Sequence, residues 1–505
     1  MAHGWQRFLV LEPVRAKKSE LAKYELAKYE LAKFALAKDE PPADEPKWGA
    51  AKHPGLTWHD HLVMLLHVAA EIEHSLMVQY LYAAYSLGGL DVAATPERQT
   101  MVKHWQTSLL KVAKEEMGHF LTVQNILCLI GAPVHFGRED YPWSIPYYPF
   151  PFRLEKLTRT SLACYVYAEM SPHILEELKK YPELSKRFER FIKTDKPEID
   201  RLVKQRAQGP VHMVAAVYHD IVNIIKNENL IPDSAFNEES YASQASWDDW
   251  GRSYGPVPRW LDPSGTPVEE PQRQREANLI IMRAATRTEA LAALNAISGQ
   301  GESIHVQHMR TDELSHFERF LKVYQEYPDD WLPARDIPDN PTTRKFDQKD
   351  MTYIDNNEAR YWATLFNYRY RLLLTCLAHS FRLAKSVAAG EPNLRGMVMH
   401  RAFGEMYNIK TVAGILVGCK LHKDDAPGSP RFAGPPFEMP YTLTLPEGEA
   451  DAWRLHQEFL NGSIDVTKLL LETASGAGRD YLVALEALDR KAIASIDALL
   501  AGLRR

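Results

Sequence analysis

The sequence predicts an all-α protein in which a four-helix bundle with metal-binding side chains packs against a second helical bundle. Three observations support this prediction. Long segments carry apolar residues at helical spacing, clusters of Pro and Gly separate them, and Glu and His occupy several positions on the apolar faces. The same clusters divide the chain into an N-terminal extension (1–55), a metal-binding bundle (56–330) with an insertion (227–275), and a C-terminal helical domain (345–505).

The composition of the chain argues against nucleic acid and membranes as partners. The net charge of −6 gives no basis for binding nucleic acid or an anionic membrane. No apolar run reaches the ~20 residues of a membrane span. The four cysteines lie in apolar helical segments and form no Cys-x-x-Cys pair, as buried thiols do in a reducing compartment. We therefore expect a cytoplasmic protein with a small-molecule substrate, as a monomer or a homo-oligomer.

The N-terminal extension contains a five-residue repeat, ELAKY ELAKY ELAKF ALAKD, over residues 20–39. Its residues favour a helix, but a period of five turns ~140° per repeat, so the leucines spiral around the helix and form no coiled-coil seam. We interpret the repeat as a solvated or partly docked helical extension. A sharper hypothesis makes Tyr24 and Tyr29 targets of modification by the chain's own active site.

The stretch Trp105–Ile130 is the centre of the site prediction. Glu116 and His119 interrupt its apolar stripe at a spacing of i, i+3, so both side chains point into whatever the stripe buries. A buried carboxylate and imidazole are costly unless they are paired or bound to metal. A lone Glu-x-x-His is more often a core histidine with a neighbour, whereas several such positions are the ligand pattern of di-metal four-helix bundles.

Glu73 occupies an equivalent position on the preceding helix, which is predicted from about Trp58 to Leu87 with Thr57 as its N-cap. Its apolar stripe also includes Tyr80, two turns further on. Tyr80 is a candidate redox or proton-relay side chain, with an ordinary core tyrosine as the alternative.

A third helix, predicted over 154–170, carries Glu169 on its apolar stripe. His173 and Glu176 extend the same face and are also candidates, although an ordinary surface or core role is the alternative for both.

A second Glu-x-x-His lies in the segment GQGESIHVQHMRTDELSHFERF, which begins at Gly299. Glu302 follows two glycines, and Glu313 and His316 form the pair at the start of the next predicted helix. Two such pairs, together with single inward glutamates on other helices, give the ligand count of a di-metal site.

The C-terminal half shows helical pattern over about 355–385, 394–421, 450–472 and 478–503. Its charged positions show no ligand spacing. Its histidines are predicted to stand alone: His379, His400 and His456.

Six segments, in order along 56–470, carry a family resemblance: AEIEHSLMVQYLYAAYSL from Ala70, AKEEMGHF from Ala113, YAEMSP from Tyr167, QGES from Gln300, SHFERF from Ser315 and AGPPFEMP from Ala433. Together they resemble the bacterial ferritin-like family, which includes the ferritin-like portion of the iminophenyl-pyruvate dimer synthase of violacein biosynthesis. The resemblance implies a metal-binding four-helix bundle and, by analogy, oxidative chemistry on amino-acid-derived imines or amines. It implies metal ligation by Glu73, Glu116, His119, Glu302 and His316, to which helix geometry adds Glu169 and Glu313.

Two positions depart from the family pattern. Family members commonly carry Gly-Glu where this chain has Ala215-Ala216 before Tyr218, so a ligand is either missing or replaced by His212 or His219. The family's QGEG is QGES here. Either change would alter the metal count or the activity.

The expected cofactor is two iron ions, with manganese as the alternative, because carboxylates and imidazoles suit both metals and no thiolate is near to favour zinc. The leading hypothesis is a di-metal oxidase or oxygenase that acts on an amino-acid-derived amine or imine in natural-product biosynthesis. The alternatives are non-redox imine coupling of the iminophenyl-pyruvate dimer synthase kind, and a non-catalytic protein that binds metal or a partner.

Overall fold

The computed structural model describes residues 52, 55–145, 148, 150–171, 173–180, 182–206, 214–246, 249, 280–302, 314–345, 350–383, 393–424, 431–439 and 444–503. The pentapeptide repeat at 20–39 and its tyrosines lie outside these residues. Nearly all regular structure in the described part is helical, which confirms the predicted all-α class.

The first half of the chain contains the helices α1 (Trp58–Ser86), α2 (Leu90–Ala93), α3 (Pro96–Leu129), α4 (Arg159–Ala168), α5 (Ile174–Lys180), α6 (Pro182–Arg187), α7 (Lys196–Arg206), α8 (Val214–Lys226), α9 (Arg287–Glu302) and α10 (His316–Glu326). A π-helical turn (Phe191–Asp195) precedes α7, and two 3₁₀ turns (Asp233–Ala235 and Glu238–Ala242) follow α8.

Local sequence signals fix the two longest helices of this half. Thr57 forms a capping box with Asp60 at the start of α1. Thr95 caps α3 with Pro96 at its first position, and Gly131 follows the helix in a left-handed conformation with φ of 72°. The predicted bounds of α1 are therefore confirmed to within about two residues, and α3 contains all but the last residue of the stretch Trp105–Ile130.

Helix α1 is, among the described helices, the one long and apolar enough to pass a length-and-composition test for a membrane span. In the structure, 72% of that window is buried inside the protein. This helix carries Glu73 and forms part of the bundle core.

Two helices of the first half begin later than predicted. The third helix, predicted over 154–170, begins only at Arg159 because Thr158 and Ser161 form a capping box there, and residues 154–157 have no regular structure. The helical pattern of apolar residues that resumes at Glu276 predicts a helix from there, but α9 begins at Arg287. Thr286 caps it, since its side chain accepts a hydrogen bond from the Glu289 backbone N–H at 3.3 Å.

The bundle is assembled from helices that are distant in sequence. Helices α1 and α3 lie side by side, α4 packs against α10, and α8 packs against α1 and α9. Helices α9 and α10 also contact α3, so that the middle of α3 is enclosed on several sides. That enclosed space is where the candidate metal ligands meet.

The C-terminal half follows a short parallel pair of strands, β1 (Pro341–Thr342) and β2 (Thr352–Tyr353). Its helices are α11 (Asn357–Ser380), α12 (Leu394–Leu416), α13 (Glu449–Leu471) and α14 (Gly476–Leu503). Helix α11 packs against α12 and α13, and α13 packs against α14, as predicted for a second bundle.

The two bundles meet at Tyr370 of α11. Its hydroxyl hydrogen-bonds His74, the residue after Glu73, and accepts a hydrogen bond from Arg138 Nη2 at 3.2 Å. Arg138 also donates to the Phe437 carbonyl at 2.5 Å, so the AGPPFEMP loop is packed into this contact.

The prediction that the C-terminal histidines stand alone was wrong for two of them. His379 Nδ1 lies 3.0 Å from His456 Nε2, and both side chains are buried. They come from α11 and α13, so helix packing pairs two residues that sequence spacing could not connect.

Candidate metal centre

Five of the predicted ligand residues converge in the enclosed space at the middle of α3. All are buried, with at most 6% of the residue surface exposed. They are Glu73 on α1, Glu116 and His119 on α3, Glu169 at the C-terminal end of α4, and His316 at the start of α10.

Helix ends position two of these residues. Glu169 is the C-cap of α4, and its backbone N–H bonds the Tyr165 carbonyl at 3.1 Å. His316 is the first residue of α10, directly after Ser315, which forms a capping box with Glu318. Its imidazole is therefore held at a fixed point of the backbone.

Glu116 lies between the two histidines and faces each with a different oxygen. Its Oε2 is 3.2 Å from His119 Nδ1, and its Oε1 is 2.8 Å from His316 Nδ1. The ligand atoms of these three residues all lie within 4.8 Å of one another. A carboxylate in this position can bridge two metal ions, each of which also has an imidazole nitrogen.

A second carboxylate also faces the Nδ1 atom of each histidine, so the centre has two matching halves. Glu73 Oε2 is 3.6 Å from His119 Nδ1, and Glu169 Oε2 is 3.6 Å from His316 Nδ1. A tyrosine hydroxyl donates to the other oxygen of each carboxylate, Tyr218 to Glu73 and Tyr80 to Glu169.

The outer nitrogen of each imidazole is also held. His316 Nε2 lies 3.1 Å from Glu115 Oε2, and His119 Nε2 lies 2.9 Å from Gln300 Oε1. Both partners are acceptors, so Nε2 carries a proton in each ring and Nδ1 is left to face the carboxylates. This is the tautomer and orientation of a metal-ligating histidine with a second residue behind it.

Burial and mutual charge shift the pKa values of this cluster. Burial, followed by the nearby Glu116 carboxylate, raises the pKa of Glu73 to about 7. Burial alone would lower the pKa of His119, but its bonds to Glu116 and Glu73 dominate and raise it to about 10. The pKa of His316 is also raised well above its usual value, because the surrounding carboxylates outweigh burial. Protons therefore occupy the positions that a metal ion would take.

The cluster has features that fit a metal. Within the described residues, Glu116 Oε1 and His316 Nδ1 are buried and form an ion pair at 2.8 Å whose geometry is not that of a hydrogen bond. Buried polar atoms without hydrogen bonds are rare unless a ligand or ion satisfies them. Gly301 brings the backbone of α9 close, since a Cβ there would lie 3.2 Å from Glu169 Oε2. Oxygen and imidazole donors of this kind suit iron and manganese.

The remaining candidates are not part of this described cluster. Glu302 ends α9, but its side chain is outside the described residues, as is all of Glu313. Their predicted ligation stays a prediction. His173 and Glu176 form a pair 3.6 Å apart with side chains 54% and 72% exposed, so they are surface residues.

The Ala215-Ala216 departure can be followed only in part. His212 lies outside the described residues, and the His219 side chain is 65% exposed beside Asp220, so His219 does not replace a missing ligand. Tyr218 from the same helix reaches Glu73 instead.

Three residues around the centre were not predicted to act there: Glu115, Tyr218 and Gln300. Glu115 precedes Glu116 and so lies ~100° away from the apolar stripe, where sequence periodicity predicts exposure. It is buried because α10 covers that side of α3. Only its position beside a candidate ligand could have drawn attention to it.

A sequence model described as Ferritin-like matches residues 66–325, which is half of the chain and includes all five converging residues. The chain belongs to the Ferritin-like family.

Curated relatives of this ferritin-like chain are distant and much longer. It is 26% identical over 422 residues to dichlorochromopyrrolate synthase of Lentzea aerocolonigenes, a match that covers 75% of this chain and 36% of the relative. It is 30% identical over 135 residues to 2-imino-3-(indol-3-yl)propanoate dimerase of Chromobacterium violaceum, covering 22% of this chain and 13% of the relative. The chain thus spans about a third or less of the length of these proteins.

A crystal structure of a ferritin-like protein from Caulobacter vibrioides is also similar, at 14% identity and a TM-score of 0.37. The match covers 70% of this chain and 96% of that one.

Proposed function

We propose that this chain is a di-metal oxidase or oxygenase that acts on an amino-acid-derived amine or imine. The observation that carries the proposal is the position of Glu116 between His119 and His316, with Glu73 and Glu169 completing two matching halves. Two iron ions, or two manganese ions, are the cofactor that such carboxylate and imidazole donors favour.

The side chains would divide the work of holding the metals. His119 and Glu73 would bind one ion, His316 and Glu169 the other, and Glu116 both. Gln300 and Glu115 would fix the two imidazole rings from behind. When bound, the metal pair supplies a redox couple that can accept electrons from substrate and pass them to O₂.

Tyr80 is positioned to move a proton at Glu169. Its hydroxyl donates to Glu169 Oε1, and its ring is fully buried against Phe320, with ring centroids 4.7 Å apart. Burial, then the charge of Glu169, raises the pKa of Tyr80 well above its usual value, so the phenol keeps its proton at neutral pH. It can therefore donate to a carboxylate while excluding water from this side of the centre.

Two variants distinguish proton donation by Tyr80 from a hydrogen bond that only holds a carboxylate in place. We expect Tyr80→Phe to bind metal normally but to lower kcat at least tenfold with little change in KM, as loss of a positioned proton donor does. Tyr218→Phe, which removes the same kind of bond from Glu73, is the matched control and should lower kcat much less. Equal effects of the two substitutions would contradict a special role for Tyr80.

The substrate class is proposed from the relatives' names. One is named for dimerisation of 2-imino-3-(indol-3-yl)propanoate, an imine of an aromatic amino acid. The test is oxygen uptake by metal-loaded protein with aromatic amino acids, and with indole-3-pyruvate plus ammonia, which together form the imine. We expect uptake that depends on metal and is abolished by Glu116→Gln. Metal-loaded protein that leaves both oxygen and these compounds unchanged would contradict the proposal.

A second candidate, non-redox coupling of two imines, is favoured by the same relative, because its name describes a dimerase. Anaerobic incubation distinguishes the two reactions. Product formed from the imine without oxygen, at an undiminished rate, would support coupling and exclude the oxidase.

A further inference from the structure

A pocket of about 340 Å³ lies beside the metal centre, between α1, α4, the end of α7 and the aromatic loop that precedes α4. This volume falls at the lower end of the ~300–1,000 Å³ range of small-molecule sites. Tyr148 and Phe150 form an aromatic wall, and Gln79, Tyr165 and Arg206 provide polar groups.

Three polar atoms on residues that line this pocket are buried and have no hydrogen-bond partner within the described residues. They are the Tyr165 hydroxyl, Gln79 Oε1 and Arg153 Nε. Tyr165 is 1% exposed and Gln79 is 4% exposed, so bulk water does not compensate them. Leaving such groups unsatisfied is costly, and several around one cavity indicate a ligand that satisfies them.

The charge of the lining favours an anion. Arg206 donates from Nη1 to both oxygens of Glu155, at 2.8 and 2.7 Å, and among the described residues it makes its hydrogen bonds through Nη1 alone. Arg153 adds a second cation, whose Nη2 lies 3.9 Å from Asp339, a half-exposed carboxylate that is not part of the pocket lining. Among the lining residues, two arginines accompany one glutamate. The rest of the Arg206 guanidinium remains available for a carboxylate.

One aromatic layer separates the pocket from the metal centre. Tyr165 packs edge-on against Tyr80, with ring centroids 5.0 Å apart, and Tyr80 donates to Glu169. Tyr148 forms part of the pocket wall, with its ring edge-on to Phe150 and the two ring centroids 5.7 Å apart. A ligand in the pocket would thus lie directly outside Tyr80 and Tyr165.

We propose that this pocket binds the carboxylate end of an aromatic 2-amino or 2-imino acid. Arg206 and Arg153 donate to the carboxylate, Gln79 Oε1 accepts from the ligand N–H, and the Tyr165 hydroxyl completes the polar contacts. The ligand ring packs on Tyr148 and Phe150. The aromatic amino-acid class rests on the proposed function, whereas the carboxylate and N–H requirements come from the pocket.

Binding by the full-length chain, measured by calorimetry, tests this assignment with L-tryptophan, indole-3-pyruvate, tryptamine and indole as probes. We expect L-tryptophan and indole-3-pyruvate to bind at least tenfold more tightly than tryptamine and indole, which lack the carboxylate. Tyr165→Phe should weaken L-tryptophan binding about fivefold without destabilising the fold, because it removes a hydroxyl with no described partner. Tyr481→Phe, whose hydroxyl bonds Asn408 in the second bundle, is the matched control.

A double substitution, Glu155→Gln with Arg206→Gln, removes both charges together and leaves no buried ion unpaired. It should weaken L-tryptophan binding at least tenfold. Absence of binding by both carboxylate probes, equal binding of tryptamine, or unchanged binding in both pocket variants would overturn the proposal. Measurement after metal removal by a chelator keeps this result separate from the proposed function, because the pocket contains none of the converging ligand residues.

Discussion

At the scale of single residues, four of the five converging side chains are each held by a hydrogen bond to a further residue. Periodicity alone predicts that Glu73, Glu116 and His119 face inward, because each interrupts an apolar stripe. It cannot predict Glu115 or Tyr218. Glu115 is buried by α10, about two hundred residues later in the chain, and Tyr218 meets Glu73 only through helix packing.

Glu115 provides a direct test of the residues behind the ligands. We expect Glu115→Leu to weaken metal binding by ~10–100-fold, because His316 Nε2 loses the acceptor that orients its ring. The measurement is competition with a chelating indicator for Mn²⁺ or Fe²⁺. Glu71→Leu is the matched control. Glu71 Oε1 also lies close to a histidine nitrogen, 2.9 Å from His135 Nε2, but this pair is not among the converging residues. If the two variants bind metal equally well, Glu115 has no such role.

The raised pKa values predict proton release on metal binding. With pKa values of about 7 for Glu73 and about 10 for His119, a metal ion displaces the His119 proton at neutral pH, and displaces the Glu73 proton only below about pH 7. The number of protons released should therefore fall by about one between about pH 6 and pH 8.5. Calorimetry in two buffers of different ionisation enthalpy measures it. A constant number would contradict the assigned role of Glu73.

At the scale of elements, helix ends fix the positions of two candidate ligands, Glu169 and His316. Thr57 can be recognised in the sequence as the cap of α1, and the bounds of that helix agree with prediction. The third helix was predicted too long because its apolar pattern continues through Leu154 and Leu157, which are buried but belong to a segment without regular structure. Apolar spacing alone does not separate these two conformations.

The cap of α10 should matter for both stability and metal binding. We expect Ser315→Ala to lower the free energy of unfolding by about 1 kcal/mol and to weaken metal binding, because the first turn that holds His316 loses its capping box. Thr57→Ala removes the equivalent box from α1, far from the ligands, and should cost similar stability with metal affinity unchanged. Denaturant unfolding and metal titration of both variants provide the measurements. Unchanged metal affinity in Ser315→Ala would show that the cap does not position His316.

At the scale of the whole molecule, the second bundle contacts the helix that carries Glu73. His74 follows Glu73 on α1 and bonds Tyr370 of α11, so the position of α1 depends on the C-terminal half. The sequence predicts both bundles from helical periodicity and breakers. It could not predict this contact, because His74 and Tyr370 are joined only by tertiary packing.

Metal content of the full-length chain tests the central claim most directly. After loading with Fe²⁺ or Mn²⁺ and removal of excess metal, elemental analysis should find about two ions per chain. Glu116→Gln, which removes the bridging carboxylate in an isosteric change, should lose both while keeping its helical circular dichroism. Folded wild-type protein that retains no metal, or a Glu116→Gln variant that retains as much as wild type, would contradict a di-metal centre at Glu116.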